Sequence, residues 1–216
     1  MPHKAIEQTL SFSRFATYRN AVVAHTGEDC VYTALNLYEW NAKLAAGFFV
    51  PLHIYEVTLR NAISDAISQR YGVDWPTNDY FLNSLTSKNK RAITSLYRDH
   101  GYQGVGKILP EVKLFFWEEM LTKRHDGRIW RPYVNTVFPN TAHLSVEQIR
   151  TQLKDACFTI RKLRNRIAHH EPIFNQATLP DIYSLIASTI AMRCNETHEW
   201  LNQLETVNEL LSNKVI

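Results

Sequence analysis

Cysteine is scarce and scattered. Cys30, Cys157 and Cys194 are odd in number and contain no CxxC pair, which argues against a disulfide framework and against a zinc knuckle. Glycine and proline are also few, 7 and 8 among 216 residues, so the chain is neither collagen-like nor low-complexity. No apolar run approaches the ~20 residues needed to span a bilayer. The opening MPHKAIEQTL lacks the apolar stretch of a secretory signal, so the expectation is a cytoplasmic protein with no membrane partner. Net charge is small, with 24 Lys and Arg against 21 Asp and Glu. Several enzyme signatures are missing: there is no GxSxG elbow, no HExxH helix and no EF-hand loop. The run Gly101 to Lys107 satisfies GxxxxGK, but Ile108 follows where a phosphate loop needs Ser or Thr for magnesium. It reads as a glycine-rich connection between helices.

What the chain does have is apolar content, 45% hydrophobic and 12% aromatic, enough to bury a sizeable core in one domain over residues 1–216. Charge is segregated along it. Between Arg150 and Arg166 stand six basic residues (Arg150, Lys154, Arg161, Lys162, Arg164, Arg166) and one acid, Asp155. Lys88 to Arg131 holds ten basic and five acidic residues, whereas Arg193 to Lys214 is acidic. A polyanion such as RNA would be drawn to the two basic segments by counterion release. Solvated helix faces account for the same charges equally well.

Apolar spacing is helical throughout, so the fold class expected is all-α, a helical bundle. A first helix is expected over Ile6–Tyr18. A long one follows Gly27-Glu28-Asp29 and runs to about Gly72, as two helices or as one kinked at Pro51, because proline lacks the amide proton and disfavours helix at Val50. Further helices are expected over about Ser87–His100 and Pro110–Lys123, then an irregular stretch from Gly127 to Asn140. Ser145 with Gln148 three positions later forms a capping box ahead of the stripe Val146, Ile149, Leu153, Cys157, Ile160, Leu163 and Ile167. Pro172 puts the end of that helix near His169–His170. A last, long C-terminal helix is expected from Asp181 to about Ser212, roughly 45 Å at 1.5 Å per residue, long enough to reach a partner. Most aromatic residues fall on the apolar stripes, so no stacking platform stands out.

The most basic helix ends in Arg164-Asn165-Arg166-Ile167-Ala168-His169-His170-Glu171. A metal site on His169, His170 and Glu171 is disfavoured, since neighbouring helical side chains point about 100° apart. Acid–base chemistry fits better. An imidazole can exchange a proton near neutrality, and guanidinium groups bind phosphate through paired, charge-assisted bonds. Cleavage of RNA by its own 2′-OH needs such groups and neither metal nor cofactor. Arg164 and His169 lie about 140° apart around a regular helix, so a joint site needs the helix end or a second subunit.

The pattern R164-N-R-I-A-H169 resembles the RNA-cleavage motif of HEPN-domain ribonucleases. The wider match is to Abi-like, or abortive-infection, proteins of bacteria. It includes RNRIAHHEPIF at 164–174, SFSRFATY at 11–18 and LYEWNAKLAAGFFVPLHIYEVTLRNAI at 37–63. The resemblance implies an all-helical HEPN-type bundle, commonly dimeric with motifs facing across a cleft, and a metal-independent endoribonuclease acting as a toxin-like antiphage effector. It implies Arg164 and His169 as the catalytic pair with Asn165 orienting them, and a product ending in 2′,3′-cyclic phosphate. His170 and Glu171 extend the motif in a supporting role. Glu56, Arg60 and Asn61 match the family's E-x3-RN element, although a plain i,i+4 ion pair explains Glu56 and Arg60 equally well. Arg166 reads more simply as solvated surface than as a catalytic group. Arg150, Lys154, Arg161 and Lys162 are the expected RNA-binding cations. The partners implied are RNA, as substrate or regulatory strand, a second copy of the chain, and an antitoxin. Two other readings remain: a protein that binds a structured RNA without cutting it, and an interaction subunit of a toxin–antitoxin or defence system.

Overall fold

The computed structural model describes residues 2–216 and is an all-α bundle; among the described residues there is no strand. Its spine is α3, Val31–Tyr71, which runs unbroken through Pro51 for 41 residues, about 60 Å at 1.5 Å per residue. Of the two alternatives at Pro51, the structure takes the single helix. Proline removes the bond that the Gly47 carbonyl would receive, but Pro51 itself is buried and packing holds the helix together across it. Helices α1 (Pro2–Leu10) and α2 (Phe12–Thr26) precede the spine. The expected first helix over Ile6–Tyr18 is therefore split: Ser11 has φ 67°, and its side chain caps α2.

Short elements follow. They are α4 (Asp79–Ser84), α5 (Ser87–Thr94), α6 (Val105–Ile108) and α7 (Leu114–Met120). The stretch expected to be irregular is instead a π turn over Asp126–Trp130 and α8, Arg131–Val137, with Pro132 in its first turn, where a missing amide proton costs nothing. The motif helix α9, Val146–Ala168, begins at the Ser145–Gln148 capping box. The long C-terminal helix does not form. It is divided into α10 (Leu179–Arg193), α11 (Asn195–Leu204) and α12 (Val207–Ser212), with extended backbone at Cys194 and Glu205. The breaks return Leu201 and Val207 to the core, where a straight rod would carry them away from it. Trp40 Nε1 fixes α12 to the spine by donating to Leu210 O at 2.8 Å, beside Gly47, where an added Cβ would meet Leu210 at 2.8 Å.

The core gathers on α3 around Phe48, Tyr55, Leu59 and Ile63, with Trp75, Trp117 and Trp130 packed over its C-terminal half. The indoles of Trp75 and Trp130 are satisfied by Ser64 Oγ and Met120 O. No helix of the described residues is long and apolar enough to cross a membrane.

Candidate functional site at the end of the motif helix

Helix α9 buries Ile149, Leu153, Ala156, Cys157, Ile160 and Leu163. Beneath it, burial pushes the Cys157 thiol up to about 12 and raises the neighbouring Tyr55 hydroxyl well above its usual value. Both stay protonated and serve packing. The helix stops in a Schellman turn. His170 N donates to Ile167 O at 3.0 Å and Glu171 N donates to Arg166 O at 2.8 Å. His170 takes the left-handed position, φ 54°, which usually falls to glycine. The apolar contact that often closes this motif is replaced by an ion pair, Arg166 Nη1 to Glu171 Oε2 at 3.3 Å.

Four further bonds hold the following chain. Arg166 Nη2 donates to Pro172 O at 2.7 Å, Arg14 Nη1 donates to His170 O at 3.1 Å, and buried Asn41 accepts from Ile173 N and Phe174 N. Phe174 packs on Tyr18, centroids 5.2 Å apart, and burial pushes the Tyr18 hydroxyl up to about 12. Arg166 is thus a clasp across the turn, its side chain 36% exposed and its guanidinium engaged by Glu171 and the Pro172 carbonyl.

The cations of α9 divide sharply. Arg150 is buried, with Nε 2.8 Å from Asp126 Oδ1 and Nη1 donating to Leu121 O, so its assignment to RNA binding is corrected: its charge is spent inside the fold. Arg161 donates to Glu118 at 2.6 Å and is half-buried. Lys154 is half-buried and Lys162 is exposed. Arg164 is exposed and has one long contact, Nε to Glu56 Oε2 at 3.8 Å.

Arg164, Glu56 and Arg60 line a cavity of about 300 Å³ between α3 and α9, together with Phe49, His53 and Ile167. The Arg60 Nε in its wall is buried without a hydrogen-bond partner. A second hollow of about 570 Å³ adjoins it, sharing Phe49, Ile167 and Ala168 and adding His170, Glu171, Tyr18 and Asn41. Phe49 stands 67% exposed on this surface. The E-x3-RN element is therefore brought to the motif helix, with Glu56 reaching Arg164 across the groove. Asn61 is exposed on α3 and lines neither hollow.

His169 and Asn165 line neither hollow. His169 stands exposed at the helix end, its backbone N–H donating to Asn165 O at 2.9 Å. Arg164 faces the groove, and His169, about 140° further round, lies off it. One chain does not bring the two around a single cavity. Among the described residues no group of three or more His, Cys, Asp or Glu is placed to hold a metal ion, the His169–Glu171 run included.

Asn41 and Arg14, which hold the turn, and Phe115, Phe158 and Lys88, which meet in cation–aromatic contacts beside α9, are not among the site residues that the sequence pattern singles out. Asn41 left a signal, a polar residue inside the apolar stripe Leu37, Leu44, Phe48. Phe158 did too, as an aromatic next to the buried Cys157 but outside the stripe of α9. Arg14 and Lys88 left none. No protein-family model, curated protein or solved structure matches the chain.

Proposed function

We propose that this chain is a metal-independent endoribonuclease of the HEPN type, working in the cytoplasm as a toxin-like defence effector. The observation that supports it is the division of labour on α9. Arg150, Arg161 and Arg166 are engaged by Asp126, Glu118 and the Pro172 carbonyl. Arg164 and His169 remain exposed at the helix end. Structural needs explain the first three cations and leave the motif's own pair for substrate.

In this reading the ribose 2′-OH attacks the neighbouring phosphorus. The 2′-O–P bond forms and the P–O5′ bond breaks; the proton leaves the 2′-oxygen and one is delivered to the 5′-oxygen. His169 moves the proton, Arg164 stabilises the charge building on the phosphoryl oxygens, and Asn165 orients the pair. His170 and Glu171 fix the turn that presents His169. Because Arg164 and His169 diverge around the axis, the reading includes a homodimer in which motif ends from two copies complete one cleft. The defence role rests on the likeness of residues 11–18, 37–63 and 164–174 to Abi-like proteins.

The test is incubation of purified protein with a mixed RNA pool in EDTA, with end-group analysis, for wild type, Arg164→Ala and His169→Ala. Scission leaving 2′,3′-cyclic phosphate, lost in both folded variants, is the expected result. Products with 3′-hydroxyl ends, formed only with magnesium, would overturn the mechanism. The divergence of Arg164 and His169 within one chain also favours a second reading, RNA binding without scission, which predicts salt-dependent binding and intact strands.

A further inference from the structure

Five side chains from three helices form an alternating row of cations and rings on the outer side of α9. Lys88 Nζ of α5 lies 4.5 Å from the Phe115 ring of α7. The Arg161 guanidinium stands 5.3 Å from Phe115 and 5.7 Å from Phe158. Lys162 Nζ closes the row 4.0 Å from Phe158. Arg161 is anchored by buried Glu118 at 2.6 Å, so the middle of the row is held rigid and its charge is compensated, whereas Lys162 is exposed. Phe158 is 43% exposed, an aromatic on the polar face of an amphipathic helix. Asp155, one turn back on α9, is the exposed acid of that helix nearest the row.

The row also has a direction. At 100° per residue, Phe158, Lys162, Asn165 and His169 fall within about 60° of one another around α9. The spacing carries the stripe roughly 16 Å along the helix from the ring to the imidazole. Buried cation–aromatic pairs serve packing, but an exposed ring flanked by one ammonium and one guanidinium group offers a π-face for a base and positive charge for the adjoining phosphates. That is the combination by which proteins hold single strands.

We infer that the Phe115–Arg161–Phe158–Lys162 row is a binding track for single-stranded RNA that feeds the strand to His169, with a base stacked on Phe158 and backbone phosphates on Lys162 and Lys88. The inference rests on the ribonuclease reading and adds substrate-recognition residues to it. A duplex keeps its bases stacked internally and cannot use the ring, so the track selects unpaired RNA.

The experiment measures binding by fluorescence anisotropy with a labelled, fully 2′-O-methylated RNA of roughly 12 nucleotides, which cannot undergo 2′-OH attack, and with the corresponding duplex. Proteins are wild type, Phe158→Ala, Phe158→Trp and Lys162→Gln, all exposed positions whose far-ultraviolet circular dichroism should match wild type. Phe158→Ala should weaken single-strand binding about tenfold or more and leave duplex binding unchanged. Phe158→Trp should retain binding, and Lys162→Gln should lower the salt dependence. Equal single-strand affinity of wild type and Phe158→Ala overturns the track, and if EDTA-resistant cleavage still depends on His169 the ribonuclease stands without it. Absence of any RNA binding by wild type at low salt overturns both.

Discussion

Asn41 on the spine and Ile173 beyond the motif lie 132 positions apart and are joined by a hydrogen bond of 2.8 Å from Ile173 N to Asn41 Oδ1. The same oxygen accepts Phe174 N at 3.0 Å. One buried amide thus ties the loop that ends the motif helix to α3. Asn41→Ala leaves the buried Ile173 amide without an acceptor and should cost about 2 kcal/mol in urea denaturation. Asn41→Asp, which keeps the acceptor, should lose less. If the alanine variant is as stable as wild type, the tie does not hold the loop.

His170 gives a prediction of opposite sign. A residue with a Cβ in the left-handed region is strained, and glycine relieves the strain. His170→Gly should therefore raise stability by about 1 kcal/mol, read as a higher denaturation midpoint at unchanged slope. Under the ribonuclease reading it should also leave cleavage by His169 largely intact, since His170 acts by shaping the turn. Stabilisation with complete loss of cleavage would instead assign the His170 imidazole to the chemistry.

These two residues also mark how much the sequence discloses. The all-α class, the capped start of α9 and its end at His169 follow from local spacing and capping, which are written in consecutive residues. The division of the last helix at Cys194 and Glu205 has no proline or glycine to announce it; it follows from the need to return Leu201 and Val207 to α3, a tertiary cause. The same holds at the site. Arg164, Asn165 and His169 are singled out as candidates by their pattern, but nothing in the sequence marks Arg150 and Arg161 as inward-facing cations, or Arg166 as a clasp. Only their partners Asp126, Glu118 and Pro172, six to forty-three positions away, separate structural cations from available ones.

A third prediction concerns pH. His125 is buried in the turn between α7 and α8, and burial, with Arg128 and Arg124 nearby, pushes its pKa down to about 4. The unfolded chain, with a histidine pKa near ~6.5, binds this proton before the folded one does. Stability from His125 is therefore complete above about pH 6.5 and is lost as pH falls toward 4. Between about pH 7 and 5 the loss should be about 2 kcal/mol in urea denaturation, and His125→Gln should reduce it. An NMR titration placing the native His125 midpoint near 6.5 would contradict the prediction.

Glu56 carries the last prediction, because it sets the charge of the groove. Its carboxylate stands 3.8 Å from Arg164 Nε, with the arginine side chain 46% exposed. So open a pair contributes little to stability, less than about 0.5 kcal/mol once screened by water. Its effect on an anion is larger in kind. Under the ribonuclease reading, a phosphate approaching Arg164 is repelled by Glu56, so the carboxylate should weaken RNA binding while holding the guanidinium toward the groove. Glu56→Gln removes the repulsion and keeps a hydrogen-bonding group at the same reach. The variant should keep wild-type stability, bind RNA several-fold more tightly at low salt, and lose that advantage as salt rises. Arg164→Ala should abolish the difference, since the two act as a unit, and a double-mutant cycle on binding reads that coupling directly. An equal gain from Glu56→Gln in the presence and absence of the Arg164 side chain would mean that Glu56 acts only through the general field, and that Arg164 does not receive the phosphate.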